Sequence, residues 1–263
     1  NLSDIEDDSR YTFVHGSITD RDLVFKLVSE VDAIVHFAAE SHVDRSIMDA
    51  SEFVNTNVLG TLVLLDAALA NGLKRFHHVS TDEVFGALGP NDPEFDENTP
   101  YAPRNPYSAT KAASDHLVRS YFHTHDLPIT ISNCSNNYGP YHFPEKMIPL
   151  FISNLKAGET VPVYGDGQQI RDWIYVEDHA RAVDACLHKG KIGETYLFGG
   201  EEEITNMDLT KRIIELVGAS EDQIEFVKDR PGHDRRYAIN WSKAKRELGW
   251  SPSVSLKEGL DRT

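Results

Sequence analysis

Short β-rich runs that alternate with helical stretches constrain this chain more than any other feature. The run 33–38 reads as an apolar segment of strand length, as a strand buried on both faces of a parallel sheet requires. A long helical pattern over 50–71 follows and stops at Asn71-Gly72. Next come a strand over 75–80, a helix over 107–125 and a strand over 129–133. Ahead of them, 11–15 reads as a strand and 20–30 as a helix capped by Thr19 or Asp20. This order predicts an α/β fold, a Rossmann-like doubly wound parallel sheet with right-handed crossovers.

After Gly139 the character changes. Helices are expected over 145–156, 176–188, 206–217 and 242–248, and short strands over 161–164, 195–198 and 225–227. We therefore expect a Rossmann-like domain over 1–140, to which 172–200 returns, and a smaller C-terminal lobe over 141–263. A Rossmann sheet normally opens with a strand and a Gly-rich turn that cradles a pyrophosphate. No such turn occurs here and no strand is read before Tyr11. The sequence is expected to begin inside the fold and to stop within a helix that starts at Leu256.

The formal charge of −16 argues against nucleic acid, which needs a basic face. Cations are concentrated in Arg230-Pro231-Gly232-His233-Asp234-Arg235-Arg236, either an anion-binding segment or a solvated basic loop. No apolar run is read as long enough to span a bilayer, and the acidic first residues lack signal-peptide character. Two cysteines, Cys134 and Cys186, make no disulfide framework and fit a reducing cytoplasm. Cys134 lacks activating neighbours and reads as a packed thiol. His42 with nearby carboxylates matches no standard zinc set, so no metal is expected. His77-His78 read as packing within a strand.

Two segments carry chemistry. Ser80-Thr81-Asp82-Glu83-Val84-Phe85-Gly86 leaves the carboxyl end of a strand, where open α/β sheets bind ligands. An adjacent buried Asp-Glu pair separates into an acid and a base through mutual repulsion, whereas on a surface it is only an acidic turn. Tyr107 and Lys111, four apart on a helix, project from one face. A nearby ammonium favours the phenolate, although a Tyr-x-x-x-Lys pair is often merely structural. Ala38-Ala39 lets backbone approach a ligand closely, or packs helix on sheet. The connection from Gly89 to Pro106 is either functional or an ordinary loop.

These residues resemble the extended short-chain dehydrogenase/reductases, and among them the dTDP-glucose 4,6-dehydratases. The likeness runs through 36–46, 80–86, 107–111, 133–149, 165–173 and 230–237. It implies tightly held NAD and a cycle of oxidation at C4, loss of water across C5–C6 and hydride return to C6. Thr81, Asp82, Glu83, Tyr107 and Lys111 would be catalytic. Ser17, Ile18, Phe37, Ala38, Ala39, Thr56, Ser80 and Asn133 would join Tyr107 and Lys111 around NAD. His42, Glu83, Asn136, Lys146, Met147, Pro162, Tyr164, Arg171, Asn206, Arg230 and His233 would hold dTDP-glucose. The resemblance further implies a cytoplasmic homodimer built through 50–71 and 107–125, and a product that feeds deoxysugar routes such as rhamnose. Ser17-Ile18 departs from the family's usual Asp-Ile near the adenine. A UDP-glucose dehydratase, an epimerase, a decarboxylase and a non-catalytic nucleotide-sugar binder are the alternatives; epimerases lack the Asp-Glu pair.

Overall fold

The computed structural model describes residues 2–263; Asn1 lies outside the described residues. In chain order the elements are α1 (Arg21–Val28), β1 (Ala33–His36), α2 (Val43–Met48), a short turn α3 (Ser51–Phe53), a π-helical segment (Val54–Gly60) and α4 (Thr61–Ala70). Then come β2 (Arg75–Thr81), a 3₁₀ turn (Asp82–Phe85), α5 (Pro106–His125), β3 (Ile129–Cys134), β4 (Asn136–Tyr138) and α6 (Met147–Ala157). The chain continues through β5 (Val161–Tyr164), β6 (Ile170–Tyr175), α7 (Val176–Lys189), β7 (Thr195–Phe198), β8 (Glu203–Thr205), α8 (Asn206–Val217) and β9 (Ile224–Val227). It closes with α9 (Ser242–Leu248) and α10 (Leu256–Arg262).

The main sheet is parallel throughout, in the order β1-β2-β3-β7. Phe76, Ile129 and Ile131 share a fully buried apolar cluster with Val63, Leu65 and Ala68 of α4 and Val118 of α5. His77 of β2 and Thr130 and Ser132 of β3, on the opposite face, are polar yet equally buried. His77 reaches Thr130 through Nδ1 at 2.9 Å and Ser132 through Nε2 at 3.1 Å. The second body of packing joins α6, α8 and α10 to β5 and β6 around Tyr138, Ile148, Phe151, Leu209 and Ile213. There β6 pairs with β4 in parallel and β8 antiparallel, and β5 pairs with β9.

Several expectations change. Residues 11–15 form no strand: the segment has no ladder partner among the described residues, and Phe13 is 71% exposed. The long helix over 50–71 is interrupted by the π-helical segment. That local unwinding accompanies the Asn57 side chain's cross-link, which accepts from Glu40 N at 2.8 Å and donates to Thr110 Oγ1 at 3.0 Å. A Cβ on Gly60 would meet Ile18 at 2.5 Å, so glycine permits the close approach there. By length and composition Ser51–Ala70 is also apolar enough to cross a membrane, contrary to the sequence reading. Half of its apolar window is buried inside the protein, where α4 serves as a core helix. The short strands β4, β6 and β8 escaped the periodicity.

Four histidines lie buried with their rings held below the ordinary value, chiefly by burial. His77 is lowered to about 3, and His78 and His179 to about 4; His36 is lowered as well. Neutral in the fold, each gains a proton on unfolding below pH 6.5. Their contribution is present above that pH and is lost as pH falls toward 4. Asp172 acts oppositely: burial pushes it up to about 7, so stability declines as pH rises from 3.8 toward 7. Replacing His77 by Gln should flatten the acid side of the curve by about 1.4 kcal/mol per pH unit. Denaturant midpoints measured from pH 6.5 downward check this; equal slopes in parent and variant would mean that His77 is charged in the fold.

Candidate active site

Chemistry gathers where β2 ends. Thr81, the last strand residue, caps the 3₁₀ turn by accepting Glu83 N at 3.3 Å. Gly86 closes that turn at φ 89°, and a Cβ there would lie 2.5 Å from the Ala102 carbonyl. Opposite, Asn105 caps α5: its oxygen accepts Ser108 N at 2.9 Å, Ser108 Oγ accepts Asn105 N, and Pro106 occupies the first turn. Tyr107 is fixed by its backbone N–H, which donates to Ser46 Oγ at 3.2 Å, and by Phe53 edge-on to its ring. One turn later, buried Lys111 donates to the Val79 carbonyl at 2.8 Å.

The two adjacent carboxyls meet different surroundings. Asp82 is 2% exposed and its Oδ2 has no partner. Burial, then Glu83, Cys134 and Asp172, push its carboxyl well above the usual range. Burial also raises Glu83, but Arg230, the Asn105 amide and Arg171 pull it back. Asp82 is thus the proton holder and Glu83 the better base. Burial and Glu83 push the Tyr107 phenol up, and Thr81 favours the phenolate. Burial lowers Lys111, opposed by Asp115 and Cys134. The Cys134 thiol, raised to about 11 by burial, is packed and inert.

Of the residues expected around NAD, Phe37, Ala38 and Ala39 follow β1, Ser80 lies near the carboxyl end of β2 and Asn133 near that of β3. Phe37 is 57% exposed and Ala38 is open beside it, with Ala39 partly covered. Ser80 is buried, with its hydroxyl on Asp115 at 2.9 Å. Asn133 is buried and donates to the Thr81 carbonyl, while its Oδ1 has no partner. An exposed aromatic, an open alanine backbone and an orphaned buried amide oxygen fit a planar, hydrogen-bonding cofactor. Ile18 packs on the π-helical segment that also carries half-buried Thr56; exposed Ser17 bonds Thr19 at 2.8 Å.

Cations converge on Glu83 from the other side. Arg171, on β6, stacks its guanidinium 4.2 Å from the Tyr237 ring and donates to the Asp234 carbonyl. Arg230 stands 3.7 Å from Asp44 with a buried, unpartnered Nε. Lys146 donates to the Ser41 carbonyl at 2.9 Å. Tyr164 donates to Asp44 at 3.3 Å and meets His233 edge-on. His233 bonds Asp229 at 2.6 Å and is lowered to about 4, chiefly by burial. His42 caps α2, and the half-buried Asn136 has an orphaned Oδ1. Met147, Pro162 and Asn206 sit on α6, β5 and α8 and make no hydrogen bond to the Asp82–Glu83 pair. The basic segment proves divided: Arg230 faces the site, whereas Arg235 pairs with Asp166 and Arg236 with Glu203. Sequence reasoning missed Asp115, gave Asp44 and Ser46 no individual role within the polar segment 40–46, and gave Asn105 no contact to Glu83; for Asn105 only the capping pattern Asn105-Pro106 carried a signal.

A family profile described as GDP-mannose 4,6 dehydratase matches residues 1–263. The chain belongs to that family. Among GDP-mannose 4,6-dehydratase family relatives, the low-salt glycan biosynthesis protein Agl12 of Haloferax volcanii is 56% identical across 99% of this chain and 83% of its own. A dTDP-glucose 4,6-dehydratase of Xanthomonas campestris pv. campestris is 51% identical across 100% of this chain and 80% of its own. The crystal structure of DesIV, a dTDP-glucose 4,6-dehydratase from Streptomyces venezuelae with NAD and dTDP bound, superposes with a TM-score of 0.98. It is 48% identical and covers 100% of this chain and 81% of its own.

Asn105 serves this family site twice, as helix cap and as donor to Glu83 at 3.3 Å. Asn105→Ala should cost about 1 kcal/mol of stability. Asn105→Asp should keep the cap but raise the Glu83 carboxyl, having lost the donor and added a charge. Denaturation curves and carboxyl carbon NMR of labelled glutamate read the two effects; an unmoved Glu83 titration in Asn105→Asp would remove the second.

Proposed function

We propose that this chain catalyses the NAD-dependent dehydration of dTDP-glucose to dTDP-4-keto-6-deoxyglucose. The observation that carries the reading is the Asp82–Glu83 pair, its members in unlike surroundings, beside Tyr107 and Lys111. NAD, when bound, supplies a hydride acceptor whose hydride is later returned, so it is regenerated in each turnover. Ser80, Asn133, Phe37, Ala38, Ala39, Lys111, Thr56, Ser17 and Ile18 would hold it.

Tyr107, assisted by Thr81, takes the proton of the C4 hydroxyl as hydride leaves C4. The ketone formed acidifies C5–H. Glu83 removes that proton while Asp82 protonates the departing C6 hydroxyl, which leaves as water. Hydride return to C6 and reprotonation at C5 complete the cycle. Lys111 would supply a cation one helical turn from Tyr107 and would help to hold the cofactor. Arg230, His233 and Lys146 suit the diphosphate, with Arg171 and Tyr164 beside them; His42 and Asn136 face the sugar, and Asn206, Met147 and Pro162 the nucleoside.

We assign cofactor binding to 1–140 with 172–200 and nucleotide-sugar binding to the rest of 141–263. A homodimer joined through 50–71 and 107–125 accords with exposed Val54 and Leu59 on the first of those segments, and we assign it to the cytoplasm on the two unpaired, buried cysteines. An epimerase would not use an acid beside Glu83. UDP-glucose differs from dTDP-glucose in the base methyl and at the ribose 2′ position, and is the control substrate.

Incubation of dTDP-glucose with protein and NAD should yield a product lighter by one water, with no net change in NAD, as read by mass spectrometry. Unaltered dTDP-glucose alongside dehydrated UDP-glucose would reassign the base. Tyr107→Phe should suppress oxidation and Glu83→Gln should suppress elimination after oxidation, each by about 10²–10⁴-fold. Normal turnover in both would refute these roles.

A further inference from the structure

On α5 the residues Tyr107, Lys111, Asp115 and Arg119 follow one another at intervals of four and form a column on one face. The first two belong to the proposed chemistry; Asp115 does not, yet it is 0% exposed. Three donors converge on its Oδ2: Ser80 Oγ at 2.9 Å, Tyr101 OH at 2.7 Å and Asn133 Nδ2 at 3.3 Å. Its Oδ1 has the His78 ring nitrogen 3.1 Å away but no hydrogen bond of good geometry. We infer that Asp115 is a positioning residue, a buried counter-charge that keeps Lys111 an ammonium and anchors Ser80 and Asn133 at the ends of β2 and β3. The inference rests on the reading of Lys111 given above.

A buried carboxylate without a cation is costly, as is a buried ammonium without an anion. The groups around Lys111 narrow the choice of partner. His36 on β1 and His78 on β2 are both held below the ordinary histidine value, chiefly by burial. Cys134 on β3 is a thiol raised to about 11 by burial. On α5 itself, Tyr107 is a phenol pushed up by burial. Asp115 is the carboxylate of this set, one helical turn from Lys111 on the same buried face of α5, a spacing at which side chains are neighbours without a direct ion pair. Burial drives the Asp115 carboxyl up, but His78, Lys111 and Tyr101 outweigh it and hold it below the usual carboxylate range. Arg119, one turn further on, is engaged instead with the Tyr101 hydroxyl at 2.8 Å.

Two measurements test this. Without the Asp115 charge the ammonium is lost at lower pH, so Asp115→Asn should move the alkaline limb of kcat down by about one pH unit. KM should change less than threefold, and Asp115→Glu should restore much of the limb. An unmoved limb in an active Asp115→Asn enzyme overturns the proposal. The second measurement needs no turnover: denaturant midpoints of Asp115→Asn, Lys111→Met and the double variant. Mutual counter-charges make the double variant more stable than the two single losses sum to; strict additivity overturns the proposal. Inactive parent enzyme with a non-additive cycle would refute the catalytic reading and leave the charge pairing intact.

Discussion

Everything at this site depends on the parallel ladder between β2 and β3 being held in register to its last rung. Ser80 stands opposite Asn133 and Thr81 opposite Cys134. A buried strand has its backbone donors and acceptors satisfied by its neighbours, so its end is the first place where side chains can turn toward a ligand. Because β2 stops at Thr81 and tightens at once into a 3₁₀ turn, three consecutive polar residues diverge from one fixed point. The apolar cluster beneath, with Phe76, Ile129 and Leu65 fully enclosed, makes that point rigid.

Rigidity alone would leave two equivalent carboxyls. Their surroundings differ because Arg230 and the Asn105 amide favour the Glu83 carboxylate, whereas Asp82, which shares Arg171 with Glu83, also feels Cys134 and Asp172. The split between acid and base thus arises from these neighbours, although both residues leave the same strand. Low local dielectric strengthens each of these influences and makes orphaned polar atoms costly. Several such atoms cluster here: Asp82 Oδ2, Asn133 Oδ1, Asn136 Oδ1 and Arg230 Nε. Groups of that kind are what a polar ligand satisfies.

Much of this was legible before any coordinates. Alternating apolar runs placed β1, β2, β3 and α5 within a few residues, since buried parallel strands and a capped twenty-residue helix leave strong local patterns. Thr81 to Glu83, Tyr107 and Lys111 were legible because their spacing is set by a single turn and a single helix. Residues 11–15 misled, because β-rich composition says nothing about whether a partner strand is available. The π-helical segment was invisible, as the contacts that accompany it, Asn57 bridging Glu40 and Thr110, lie far apart in sequence. Asp115 was missed for the same reason: it looks like a solvated carboxylate until the partners that enclose it are known. The basic run 230–236 looked uniform, yet its arginines go to three separate acids.

The segment Ser41–Arg45 has a consequence of its own. It leaves the end of β1, yet it reaches the other half of the molecule through Lys146 on the Ser41 carbonyl, Tyr164 and Arg230 on Asp44, and Arg45 on Glu145 at 2.6 Å. The groups that would meet an incoming anion are thus already seated on surrogate acceptors. Anion affinity then reports a difference between two sets of contacts, and a weak gross attraction could still discriminate sharply by geometry. Ordering of these side chains has been completed during folding, so little rotamer freedom remains to be surrendered at the moment of capture.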